Sequence, residues 1–345
     1  MDITTNTSET TTSTSSAGTM RAIVQKAYGT ADQLALATID RPSIAPDEVL
    51  IRVGAAGLDR GTWHLMSGEP YLIRLMGFGV RAPKNQVPGF DVAGTVVAIG
   101  NDVTRFEVGD SVFGVSRGSF AEYAAAREDK LARKPEGLTH EQAAVLGISG
   151  LTALKAVQDV ARVEAGQRVL VIGASGGVGS YAVQIAVALG AHVTGVCSTA
   201  KTDLVTALGA ERVIDYTTSD FADGTEYDVV IDIGGSSSVS HLRRALAKDG
   251  TLVIVGGEGS SKWSTGMGRQ LRAAALSPVV GQRLRMVVAE EHHSGLERLA
   301  ELVAAGQITP AVERAYPLEQ TADAMRDLVA GNARGKIAIR VATSG

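Results

Sequence analysis

Hydrophobic and polar positions follow three different patterns along this chain, and each pattern marks a region. Residues 1–19 are nearly all Thr, Ser, Asn and Glu, a composition that buries too little apolar surface to offset the entropy of ordering. They are expected to form a disordered tail. With no apolar core and no basic start they match neither a signal peptide nor a transit peptide, and Met20 stands as a second candidate start. From Met20, apolar residues come in short runs at 20–26, 34–39, 48–54, 92–99, 111–115 and 120–124, interrupted by Pro42, Pro46 and the Gly109-Asp110 pair. Short runs so closely spaced predict the strands of a compact β-barrel-like domain. Beyond Pro135 the spacing turns helical, through 139–144 and 149–160.

The third pattern opens on Val169-Leu170-Val171-Ile172, an unbroken aliphatic run read as a parallel strand buried on both faces. The turn Gly173-Ala174-Ser175-Gly176-Gly177-Val178-Gly179 follows at once, and from Val178 the apolar positions recur at helical spacing until Gly190. Strand and helix then alternate: helix 201–208, strands 212–214 and 228–233, helix 238–247, strand 251–255. A largely helical stretch 262–290, a helix 295–305 and a last strand 337–341 complete the expected order. Such alternation predicts an α/β, doubly wound parallel sheet, and the last strand is expected to rejoin the N-terminal β domain.

Composition narrows the class. The 345 residues are 45% hydrophobic and 20% charged, with a net charge of −4. No basic run suggests a nucleic-acid partner, and no apolar run is long enough to span a membrane. Cys197, the one cysteine, excludes an internal disulfide and a Cys-rich metal site and suggests a reducing, cytoplasmic setting.

Strand, glycine turn and helix in that order open a dinucleotide-binding unit. Gly173, Gly176, Gly177 and Gly179 permit the sharp turn, the approach of backbone N–H groups to a pyrophosphate, and close helix-strand packing, with Ser175 and Val178 in the same turn. The next strand, 191–197, decides the cofactor. It ends in Ser198-Thr199-Ala200-Lys201, without the carboxylate that would accept from a ribose 2′-hydroxyl, and Asp203 falls inside the next helix. The expected cofactor is therefore NADPH rather than NADH, the alternative being Lys201 as a solvated residue at a helix start. Gly234 and Gly256 follow strand ends, where ligands bind in such sheets.

These motifs, together with Val-Pro-Gly-Phe-Asp-Val-Ala-Gly at 87–94, Val-Gly-Asp at 108–110, Ser-Gly-Leu-Thr-Ala at 149–153 and Ala-Arg-Gly-Lys at 333–336, resemble the medium-chain dehydrogenases/reductases, and within them the zinc-independent quinone oxidoreductase branch. The resemblance spans about residues 20–343. It implies a GroES-like catalytic domain over 20–145, completed by about 306–345, and a Rossmann NADP-binding domain over 146–305, with the active site between them. A homodimer is the expected assembly. It also places Thr152 near the nicotinamide, Tyr216 beside the adenine ribose phosphate, and Arg334 either on a cofactor phosphate or in a solvated turn.

Zinc is not expected. Where zinc-dependent relatives carry their ligands, this chain has Ala55-Ala56-Gly57-Leu58-Asp59 and Phe90-Asp91, from which no set of thiolate and imidazole ligands can be built. Without a Lewis acid, hydride transfer to a quinone or an α,β-unsaturated carbonyl stays feasible, provided donors face the developing oxyanion. Candidate donors are Thr62, His64 and Tyr71. Asp59, where the family often has Asn, is expected to accept from a ribose hydroxyl or a backbone N–H. Trp263, Met267 and Leu276 suit either a core or dimer contact or an apolar wall of the substrate cleft. Two other readings remain: an alcohol, aldehyde or acyl-thioester oxidoreductase of the same fold, and a cofactor-binding regulator without turnover.

Overall fold

The computed structural model describes residues 18–256, 273, 276–277, 280–288 and 290–341; Trp263 and Met267 lie outside them. The first half holds a hairpin, β1 (Thr19–Val24) with β2 (Ala35–Asp40), and then β3 (Glu48–Leu58), β4 (Asp91–Ile99), β5 (Ser111–Val115), β6 (Tyr123–Arg127) and β7 (Leu131–Arg133). Strand β3 is longer than its sequence pattern suggested. Its second half, Ala55, Ala56 and Leu58, is buried and pairs with β4 and with a strand from the far end of the chain. Helix α1 (Arg60–Ser67) leaves β3 directly, and after β7 come α2 (His140–Ala144) and α3 (Gly147–Leu154). Thr139 caps α2 in a reciprocal box with Gln142.

The second half alternates: β8 (Arg168–Ile172), α4 (Gly177–Ala188), β9 (His192–Cys197), α5 (Thr202–Ala207), β10 (Arg212–Asp215), β11 (Tyr227–Asp232), α6 (Val239–Arg244), β12 (Leu246–Ile254) and β13 (Arg283–Met286). The sheet order is β10-β9-β8-β11-β12-β13, all parallel. The order in which successive strands are added reverses between β8 and β11, which opens a crevice at their carboxyl ends. Two expectations are corrected. The helix expected over 238–247 stops at Arg244, because Leu246 already pairs with buried Tyr227 as the head of β12. Residues 283–286, expected within a helical stretch, form the edge strand β13, with Leu284 turned inward between exposed Arg283 and Arg285. Four residues are too few to separate the two periods.

Helix α7 (His293–Ala304) then packs on α3 and β7. Strand β14 (Val312–Pro317), helix α8 (Thr321–Val329) and β15 (Lys336–Arg340) return to the first sheet, whose order is β14-β15-β3-β4-β5-β7 with β6 also on β3. Strand β15 runs antiparallel to β3, with Ile337 opposite Leu58. One apolar core fills this barrel and two others cover the faces of the parallel sheet.

Candidate active site

The glycine turn is built for close approach. Gly173 has φ +83°, which a side chain would strain, and a Cβ on Gly179 would stand 2.1 Å from the carbonyl oxygen of Gly173. Gly176 precedes α4 and brings no side-chain cap; its own N–H donates to Gly173 O at 3.1 Å, and the first turn of the helix behind it, at Gly177 and Val178, faces the crevice, the arrangement that favours an anion. A cleft of about 510 Å³ lies in front of them. It brings together Asp59, His64, Thr152, Gly173, Ser175, Gly176, Gly177, Val178, Ser198, Lys201, Tyr216, Gly234 and Gly256, residues drawn from β3 through β12.

The C-terminal segment forms the facing wall and is fastened to the parallel sheet's loops. Lys201 donates to the carbonyls of Gly331 (2.9 Å) and Ala333 (2.7 Å), and the Gly335 N–H donates to Ser175 O (3.0 Å). Partial burial pulls the Lys201 ammonium below its ordinary range. Two of its three hydrogens are committed, and one remains for a ligand. Arg334 is placed elsewhere: its guanidinium grips the Asp203 carboxylate at 2.6 Å to both oxygens, outside the cleft lining. Thr199 likewise turns away, its hydroxyl on Asp215.

The floor holds a buried charged group that the sequence reading did not single out. Asp91 and Lys336 are 0% and 2% exposed. Lys336 Nζ donates to Ser149 Oγ at 2.9 Å and stands 3.9 Å from Asp91 Oδ2, while Asp91 Oδ1 accepts from the Ile148 N–H at 2.7 Å. Ser149 and Lys336 line the cleft. Burial first, and then the neighbouring Asp59 carboxylate, push the Asp91 carboxyl up to about 8 against the pull of Lys336. Room for this group comes from Gly57 and Gly147, where a Cβ would stand 2.8 Å from Asp91 Cβ and 2.4 Å from Oδ1 respectively. The available signal was a charged residue at the head of an apolar strand in Phe-Asp-Val-Ala and again in Gly-Lys-Ile-Ala.

Asp59 caps α1, its Oδ1 accepting from the Thr62 N–H at 2.7 Å. Its Oδ2 is buried with no hydrogen-bond partner among the described residues, an acceptor suited to a ribose hydroxyl. Thr62 is buried away from the cleft lining, and Tyr71, stacked with the Arg74 guanidinium at 4.6 Å, is also outside it. His64 does line the cleft. Its Nδ1 lies 2.8 Å from the carbonyl of Glu69, an acceptor, so Nδ1 carries a proton committed to that carbonyl, and Nε2 is the ring nitrogen left to a ligand. Thr152 donates its own proton to Ile148 O at 2.7 Å, leaving lone pairs toward the cleft. A neighbouring cavity of about 420 Å³ shares Gly61 and Ile148 with the cleft and has Leu65, Phe78, Phe90 and Val115 in its walls.

A doubly wound parallel sheet with an uncapped glycine turn, facing a barrel that closes the cleft, defines a two-domain oxidoreductase built to hold a nicotinamide dinucleotide. The comparisons agree. Residues 45–136 match the alcohol dehydrogenase GroES-like domain and residues 208–339 the zinc-binding dehydrogenase model. The mitochondrial NAD(P)H oxidoreductase RTN4IP1 of Mus musculus is 32% identical over 327 residues, covering 86% of this chain and 82% of that protein. The chloroplastic quinone-oxidoreductase QR1 of Triphysaria versicolor is 31% identical over 342 residues, covering 93% and 98%. The quinone oxidoreductase structure from Coxiella burnetii superimposes with a TM-score of 0.83 at 28% identity, covering 94% and 100%. The chain belongs to the medium-chain dehydrogenase/reductase superfamily, in its quinone oxidoreductase branch, and is an NAD(P)H-dependent oxidoreductase.

Proposed function

We propose that this protein uses NADPH to reduce a quinone or an α,β-unsaturated carbonyl, without zinc. The observation that carries the reading is the cavity beside the cleft at Gly61 and Ile148, where Leu65, Phe78, Phe90 and Val115 form an apolar wall and Glu48, Arg117, Arg127, Lys130 and Glu291 complete the lining. Such walls suit a planar, weakly polar acceptor. A bound reduced nicotinamide supplies a hydride from its C4. The chain's own part is to align the two ligands, exclude water, and face the acceptor oxygen with a donor. Ser149 fits that last task, because its Oγ accepts from Lys336 and its hydroxyl proton stays available to a ligand.

The donor set supports a metal-free reading. Among the described residues no three His, Cys, Asp or Glu side chains gather as a metal site, and Asp91 Oδ1 already accepts from the Ile148 N–H. Consumption of reduced nicotinamide is therefore expected with quinones and enones and unchanged by a chelator, and simple alcohols are expected not to reduce the oxidised cofactor. Loss of turnover on chelation, or activity confined to alcohols and aldehydes, would remove this reading.

Support for NADPH comes from the third hydrogen of Lys201 and from the carboxylates that follow β9 and end β10, which have other partners: Asp203 holds Arg334, and Asp215 holds Thr199 and Thr217. The Lys201→Ala variant is expected to raise the KM for NADPH about tenfold, the scale of one charge-assisted contact, and to leave that for NADH within about twofold. Because Lys201 also ties down Gly331 and Ala333, equal losses with both cofactors would mean that its work is structural.

A further inference from the structure

Away from the cleft, one surface stands apart in its chemistry. Residues 70–90 contain Arg74, Arg81 and Lys84 and no Asp or Glu, in a protein whose net charge is −4. Within this stretch Leu75, Met76 and Val80 are 70%, 68% and 63% exposed, and Phe78 is 43% exposed. Single exposed apolar side chains are ordinary, but four large ones within six residues need an explanation.

The backbone beneath them is fixed inward. Tyr28 donates its hydroxyl to Gly79 O (2.6 Å) and Phe78 O (3.1 Å), and the Lys84 N–H donates to Phe78 O (2.8 Å). Arg74 donates to Gly68 O at 2.9 Å and lies over the rings of Tyr28 and Tyr71. Gly79, at φ +112°, makes the turn that a side chain would block, since a Cβ there would meet Ala82 O at 2.1 Å. The Phe78 and Gly79 carbonyls satisfied from within, with apolar side chains outward and exposed Arg81 and Lys84 beside them, suit a segment that enters a lipid headgroup layer.

We propose that residues 74–84 dock the protein on an anionic lipid surface, Leu75, Met76 and Val80 entering the headgroup layer while Arg81 and Lys84 meet lipid phosphates. Charge selects this occupant. A second copy bound through the same patch would set the cations of one protomer against those of the other, whereas an anionic bilayer complements them. Phe78 is also a wall of the cavity beside the cleft, so the docked face lies at that cavity's mouth. The docking goes beyond the proposed acceptor and does not depend on it.

The test is co-sedimentation of the full chain with vesicles of phosphatidylcholine plus phosphatidylglycerol, against vesicles of phosphatidylcholine alone, with light scattering of the protein without lipid. Binding is expected to the anionic vesicles and to weaken with salt. Each of Arg81→Gln and Lys84→Gln is expected to weaken it about fivefold, and Leu75→Gln with Met76→Gln by roughly tenfold or more. Unchanged melting temperatures would show the variants folded, and NADPH turnover with a water-soluble quinone, read separately, tests the acceptor assignment. No sedimentation with anionic vesicles, or equal sedimentation with both kinds, overturns the proposal. So does a wild-type dimer that Leu75→Gln with Met76→Gln converts to monomer, since a second copy would then be the occupant.

Discussion

The Asp91→Ala variant is expected to lose about 1–3 kcal/mol of folding stability at neutral pH, whereas Asp91→Asn loses little. The alanine leaves the Lys336 ammonium buried with Ser149 as its one remaining neighbour in this group, and takes the acceptor from the Ile148 N–H. An orphaned buried N–H alone costs about 1–3 kcal/mol. The asparagine keeps both the shape and the Oδ1 acceptor, and at neutral pH it replaces a carboxyl that is itself largely protonated, because burial has pushed it up to about 8. Urea midpoints of the three proteins test this, and a loss under about 1 kcal/mol in Asp91→Ala would show that the Ile148 N–H finds another acceptor.

The same group sets a pH dependence with a definite sign. The native state holds a proton on Asp91 that the unfolded chain releases near its ordinary 3.8. The contribution is therefore fully present below about pH 4 and declines as pH rises through about 8, by up to ~1.4 kcal/mol per unit. Asp91→Asn is expected to remove this slope between those limits.

The second large effect is expected at Gly179. A Cβ there would stand 2.1 Å from Gly173 O and 2.8 Å from Gly173 C, both backbone atoms, so Gly179→Ala must push α4 away from β8. Overpacking of this kind costs about 1–3 kcal/mol, and it moves the helix N-terminus from where a pyrophosphate would sit. Affinity for the reduced cofactor, followed by fluorescence titration, is expected to fall tenfold or more. A Gly179→Ala protein that bound the reduced cofactor like the wild type would show that close packing at Gly179 is not what shapes the turn.

Much of this was legible in the chain alone. The run Val169–Ile172, the glycines after it and the helical spacing up to Gly190 state their structure locally, because strand, turn and helix propensities act over neighbouring residues. The same holds for Gly234 and Gly256, which follow strand ends and do line the cleft. Edge elements were read less well: residues 283–286 carry too short an alternation to be told from a helix, and β13 takes its form from its pairing with β12.

Side-chain direction was not legible. The resemblance put Arg334 within reach of a cofactor phosphate and local pattern put Thr199 at the cofactor strand end, yet Arg334 spends its guanidinium on Asp203, 131 residues away, and Thr199 spends its hydroxyl on Asp215; Thr62 and Tyr71, candidate donors to the acceptor oxygen, lie outside the cleft lining. His64 came to the cleft, but with its N–H turned to Glu69. By itself the sequence determined the order of the elements, the glycine turn and the class of cofactor, all properties of residues close together in the chain. Tertiary structure alone decided that Asp91, Ser149 and Lys336 form one buried group, because their approach depends on β15 returning across the whole chain to lie against β3. A buried charge is tolerable only where such distant partners are brought to it.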